Sequence, residues 1–339
     1  MTTAVELTSC DSCDTEFALD DARYATGDRF LCPACAASLQ LCDFCDRHCE
    51  TAVRAESGVY VCVGCQDEYN FSECLDCSTL VRDGTVCEFH EAPGDHTLLL
   101  DYSVKPDPVF HGRGPLHLGM ELEITVPRGD LAPRAEDSLS ALGGLGYLKD
   151  DSSISHGFEL VTHPMSYDWA LDHFPWDLLP RLYDQGCSAD DNGLHVHISR
   201  AAFTGPCHVY RWMKFVYRNQ DAVETLARRS SQYAGFHDDK RILVKETCKG
   251  ARGFIRHAAI NTLNSSTLEL RVFAGSLAPQ QVQAALGFAD ASVHYTRDLA
   301  VADIARHRGW DWSRFATWLL TNPRYLPLTR ELEDLACAC

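Results

Sequence analysis

Apolar and polar positions change rhythm near residue 116. From Leu116 onward, alternating stretches predict strands at 117–126, 157–163, 193–199 and 266–273. Helical periodicity predicts a helix over 132–142, ended by Gly143-Gly-Leu-Gly146. A long amphipathic helix is expected over 208–229, with Trp212, Phe215, Val216, Val223 and Leu226 on its apolar side. Two more are expected over 280–300, entered through Pro279, and over 312–320. This set predicts an α+β fold with helices backing an antiparallel or mixed sheet. Ahead of it, Glu91-Ala-Pro-Gly-Asp, Lys105-Pro-Asp-Pro and Gly112-Arg-Gly-Pro115 punctuate the chain, and 97–104 suits an added edge strand. The expected division is a head over 1–92, a linker over 93–115, a body over 116–330 and a tail over 331–339.

Three of the strands carry two ionisable residues, one position apart, in apolar surroundings. Side chains alternate faces along a strand, so Glu121 and Glu123 oppose Met120, Leu122, Ile124 and Val126. His195, His197 and Ser199 oppose Leu194, Val196 and Ile198, and Glu269 and Arg271 oppose Leu268, Leu270 and Val272. Carboxylates, imidazoles and a guanidinium on three strands predict a sheet whose polar face lines a reaction site.

The head has its own chemistry. Twelve of the seventeen cysteines fall between Cys10 and Cys87, in short pairs with metal-ligand spacing. Cys10/Cys13 with Cys32/Cys35, Cys42/Cys45 with Cys62/Cys65, and Cys74/Cys77 with Cys87/His90 supply twelve ligands for three structural Zn²⁺ ions, with Cys49 spare. An interleaved pairing of first and third half-sites satisfies the spacing equally. So short a head holds little core, and zinc would supply most of its folding free energy. Cys187, Cys207 and Cys248 read as small core residues.

Charge narrows the partners. Residues 1–100 carry 19 acidic and 5 basic side chains, so most of the net −18 lies in the head. Thiolate ligation adds negative charge. Nucleic-acid affinity rests on Lys and Arg, so a protein partner fits the head better. No apolar run reaches the ~20 residues of a membrane span, and the N-terminus lacks a signal-peptide pattern. A cytoplasmic protein with reduced thiols is expected. No GxxxxGK[ST] or GxGxxG occurs.

The ordered motifs of the body resemble the amidoligase family, carboxylate–amine ligases with a glutamine-synthetase-like fold. They are Gly119-Met-Glu-Leu-Glu, Asp151-Ser-Ser-Ile, Phe158-Glu-Leu-Val-Thr-His-Pro, Asn192-Gly-Leu-His-Val-His-Ile-Ser, and Ala259-Ile-Asn followed by Thr267-Leu-Glu-Leu-Arg-Val-Phe-Ala-Gly. The match covers about residues 116–300. The resemblance implies a curved sheet with backing helices, and ATP-dependent amide formation through an acyl phosphate with two Mg²⁺ ions. It implies Glu121, Glu123 and Glu159 as ligands of one metal and His195 and Glu269 as ligands of the other. It places His197 at ATP phosphate, Arg271 at phosphate or the substrate carboxylate, Arg256 or else Arg252 beside the transferring phosphoryl group, and Asp151 and Ser153 beside the amine substrate. His257 departs from the family, which often has an aromatic residue there. The substrates would be an amine and a carboxylate, on small molecules or peptides. The rival expectation is a zinc-ribbon adaptor whose ligase-like body has lost turnover.

Overall fold

A computed structural model describes residues 7–74, 79–82, 87, 98–127, 129–151, 153–154, 156–229, 235–236 and 258–337. The chain divides into two compact units, Met1–Asp95 and His96–Cys339. The second begins inside the segment expected as a linker.

The body is built on a seven-stranded mixed sheet. Its strands are β1 (Leu99–Leu100), β2 (Leu118–Thr125), β3 (Gly146–Lys149), β4 (Gly157–Thr162), β5 (Gly193–Ser199), β6 (Ile260–Asn261) and β7 (Thr267–Ala274). They lie in the order β1-β3-β4-β2-β5-β7-β6. All neighbours run antiparallel except β1 and β3. The four long strands follow the alternation within a residue at each end. The short β3 and β6 escaped it, because two to four residues carry no period.

Register lines up the polar face. Lys149 faces Glu159, which faces Glu123; Glu121 faces His195; His197 faces Glu269, which faces Asn261. The opposite face is apolar and fully buried, with Met120, Leu122, Ile124, Leu160, Val196 and Leu270 all at 1% exposure or less. Each such side chain stabilises the fold by about 1.5–3 kcal/mol relative to exposure. The register between β5 and β7 shifts at Leu194/Val196, and Phe273 stands opposite Leu194. An extra residue in β7 sets Arg271 and Val272 together against His195.

Nine helices are described in the body: α1 (Leu131–Leu142), α2 (Tyr167–His173), α3 (Leu178–Asp184), α4 (Pro206–Arg218), α5 (Gln220–Ala227), α6 (Pro279–Arg297), α7 (Val301–His307), α8 (Trp312–Leu320) and α9 (Leu326–Cys337). Helix α6 opens on Pro279 and packs against β2 and β5, and its Phe288 meets Phe273 of β7 at 6.2 Å. Gly143 ends α1 in the left-handed conformation at φ 54°. The single helix expected over 208–229 is two, because Asn219 leaves helical geometry and donates its side-chain N–H to both Phe215 O and Trp310 O. Helix α9 runs through Cys337 and buries Leu328 and Glu331. Cys187 is buried as expected, Cys207 is exposed, and Cys248 lies outside the described residues. Among the described residues no helix is long and apolar enough to cross a membrane.

The head is a tandem of small hairpins. Cys10, Cys42 and Cys74 recur at one interval, each closing its turn by donating a backbone N–H to Thr15 O, Arg47 O and Thr79 O respectively. Asp11 accepts from Phe30 N–H and Asp43 from Tyr60 N–H, both at 2.6 Å. Parallel contacts Ala25–His48 and Ala55–Leu80 link each module to the next in the same way. Three small apolar clusters, built around Leu31, Val61 and Val81, include the cysteines themselves.

Candidate metal centre

Pleat alternation and register bring Glu121, Glu123, Glu159, His195, His197, Glu269 and Arg271 onto one face of the sheet. The face is polar yet largely withdrawn from water: Glu159 is 4% exposed, Lys149 and Glu269 6%, and His195 7%. Donor atoms converge in two overlapping triads, Glu121–Glu159–His195 and Glu121–His197–Glu269, with all atoms of each within 4.8 Å of one another. Glu121 belongs to both. His195 Nδ1 lies 3.7 Å from both Glu121 Oε2 and Glu269 Oε1, and its Nε2 lies 3.9 Å from Glu123 Oε1.

Second partners orient several donors. His197 Nδ1 meets Thr267 Oγ1 at 3.0 Å, which aims Nε2 at Glu121 Oε1, 3.2 Å away. That Nε2 is buried without a well-formed hydrogen bond. Glu269 accepts from Asn261 Nδ2 at 2.7 Å and from Arg271 Nη1 at 3.0 Å. Glu123 stands outside both triads and accepts the Gly193 backbone N–H at 2.6 Å. Hydrogen bonds of this kind fix ligand orientation around metals.

Electrostatics mark the same cluster. Burial, then the neighbouring Glu121 carboxylate, push the Glu159 carboxyl up to about 8, against the pull of Lys149. For Glu121, burial would raise the carboxyl, but His197 and His195 outweigh it and hold it well below the usual range. Burial likewise opposes charge on His197, and Glu121, Glu269 and Glu159 overcome it, raising the imidazole to about 9. Burial, Glu121 and Glu159 raise Tyr147 to about 12. Three crowded carboxylates, two imidazoles and an aimed, unsatisfied Nε2 fit divalent cations, whose charge relieves the repulsion.

The other expected residues fare differently. Asp151 is tied to Ser153, accepting both its N–H and its Oγ–H at 2.7 Å, and belongs to neither triad. Arg252 and Arg256 lie outside the described residues. Periodicity missed Lys149 on the short β3, and Asn261 on β6, although Asn261 stands in a motif that was read. It also missed Arg229, which reaches the site from beyond α5 and has no strand pattern to betray it.

In the head, Cys10, Cys13, Cys32 and Cys35 form one four-sulfur group, and Cys42, Cys45, Cys62 and Cys65 another. The half-sites therefore pair sequentially in these two modules. Cys13 and Cys32 sulfurs lie 3.9 Å apart, as do those of Cys45 and Cys62. Tetrahedral Zn²⁺ with ~2.3 Å bonds sets sulfurs about 3.8 Å apart. Cys10 and Cys42 sulfurs also accept the backbone N–H of Cys32 and Cys62. In the third module Cys74 and Cys87 are buried, whereas Cys77 and His90 lie outside the described residues.

No family model matches this chain, and no curated protein matches it. Among solved structures it is similar to one described as "Apo GmaS without ligand". Identity there is 14% and the TM-score 0.34, over 66% of this chain and 68% of that one. Nothing about activity follows from so distant a likeness.

Proposed function

We propose that the body is an ATP- and Mg²⁺-dependent carboxylate–amine ligase of the amidoligase kind, with a glutamine-synthetase-like sheet. The observation that carries this reading is the pair of triads sharing Glu121 beside Arg271. Two hard cations a few ångströms apart, with a guanidinium alongside, suit phosphoryl chemistry. The order of the sequence motifs supports the same class.

In this reading Glu121, Glu159 and His195 hold one cation, and Glu121, His197 and Glu269 the other. The ions would neutralise charge on the nucleotide phosphates. Arg271 binds phosphoryl oxygens with a planar fork that matches them. A carboxylate oxygen of the acid substrate attacks the terminal phosphorus of ATP and ADP leaves. The amine nitrogen then attacks the acyl carbon, inorganic phosphate leaves with the C–O bond electrons, and the amine gives up a proton. The near-dry polar face protects the acyl phosphate from hydrolysis.

Zinc in the two four-cysteine sites, and in a third site of Cys74, Cys77, Cys87 and His90, holds the head together. Thiolate ligation suits a reducing compartment, and we assign the protein to the cytoplasm on that ground. The head's acidity suits recruitment of a protein or peptide substrate.

The test is amine-dependent phosphate release from ATP by zinc-loaded protein, across a panel of amino acids and peptides. Glu269→Ala should lower turnover at least about 100-fold with an unchanged melting curve. Retained turnover in that variant would remove Glu269 from the metal site. Nucleotide binding without hydroxylamine-trappable acyl phosphate in wild-type protein would favour the inactive adaptor.

A further inference from the structure

The polar face has a gap, and an arginine fills it. Gly193 shares its face with His195 and His197 by strand alternation, but brings no side chain. A Cβ there would lie 2.7 Å from Arg229 Nη1, 3.1 Å from His195 Nε2 and 3.3 Å from Glu123 Oε2. The missing side chain is thus what lets the Arg229 guanidinium reach the sheet. Arg229 stands two residues beyond α5, half-buried, its Nη1 donating a long hydrogen bond to Phe273 O at 3.4 Å. Burial works against its charge, Glu123 supports it, and Arg271 opposes it. Arg271 offers a buried Nε with no hydrogen-bond partner.

Two partly buried guanidiniums, near enough for one to oppose the charge of the other, suit an anion. Glu123 and Glu269 partly serve while no cation is bound. Two divalent cations would take up the charge of Glu121, Glu159 and Glu269, leaving Arg271 without its carboxylate partner and Arg229 with Glu123 alone, and an unpaired buried charge is costly. An anion offsets that excess of positive charge, and a terminal phosphoryl group fits the fork geometry of Arg. We propose that Arg229, passing over Gly193, joins Arg271 to receive the terminal phosphoryl group of the nucleotide. The inference rests on the ligase reading above and adds to it a residue from outside the strand motifs.

The experiment is calorimetric titration of full-length, zinc-loaded protein with the non-hydrolysable analogue AMP-PNP and with ADP, each in excess Mg²⁺. Wild-type protein should bind AMP-PNP more tightly than ADP. Arg229→Ala should weaken AMP-PNP by about tenfold or more and leave ADP near its wild-type affinity. Gly193→Ala, which sets a methyl group 2.7 Å from the present position of Nη1, should do the same with the arginine still present. AMP-PNP affinity unchanged in both variants, or an equal loss for both nucleotides, would overturn the assignment of Arg229. Wild-type protein that binds neither nucleotide would instead overturn the ligase reading itself, and this inference with it.

Discussion

Glu121 is where the two donor triads meet, and it shows what a single position needs to be readable. Glu123 two residues on and His195 across the pair with β5 are also ionisable, so alternation exposed Glu121, Glu123, His195, His197 and Glu269 together. Glu159 sits in a strand buried throughout, Gly157–Thr162, and only the motif resemblance singled it out. Arg229 and Lys149 were silent because their roles depend on where a loop and a four-residue strand end up. Asp290 is a buried acid remote from these motifs. It accepts from Tyr325 Oη at 2.7 Å and lies 3.3 Å from Arg324 and 3.6 Å from His294. Burial raises its carboxyl despite these partners. A raised folded-state value means that the fold favours the protonated acid. Its contribution to stability is therefore full below the unfolded value of about 3.9 and lost as pH rises through the folded one. Urea unfolding should show the stability of wild type relative to Asp290→Asn falling as pH rises from about 4, at up to about 1.4 kcal/mol per pH unit. A difference that grows with pH would mean that Arg324 and Tyr325 hold the acid charged.

At the scale of elements, the long strands and the strongly periodic helices were legible because many residues vote on one period. The break at Asn219 was not, since the apolar spacing runs on through both α4 and α5. A side-chain amide bonded to a carbonyl of the distant Trp310 decides it. The extra residue in β7 was hidden for a related reason: Val272 and Phe273 are both apolar, so the sequence does not say which faces the core. That shift has a consequence for the site, because it sets Arg271 against His195 while leaving Glu269 opposite His197. Helices α2, α3, α7 and α9 are short or mixed in pattern, and tertiary packing stabilises them more than local preference does. In the head, cysteine spacing was a stronger signal than any periodicity. The module repeat became visible only through the matching turns at Cys10, Cys42 and Cys74.

For the whole molecule, the two units rest on different physics. The body buries continuous apolar faces, whereas the head's three clusters are small and lined by cysteine thiols. Structural zinc typically contributes ~10–16 kcal/mol of binding free energy, enough to decide whether so small a unit folds. A zinc-selective chelator, with Mg²⁺ held in excess, should make the head sensitive to protease. All six tryptophans lie in the body, so a tryptophan-monitored unfolding transition should stay where it was. A transition that collapses on chelation would show that the body depends on the metals of the head.

The central claim is that one sheet face holds a pair of divalent cations for phosphoryl transfer. Anomalous diffraction from crystals grown with Mn²⁺ and AMP-PNP tests it most directly. Two manganese peaks are predicted, both within about 2.0–2.2 Å of a Glu121 oxygen, one also bound by Glu159 and His195 and the other by His197 and Glu269. A single peak, no peak, or manganese bound away from Glu121 would contradict the account.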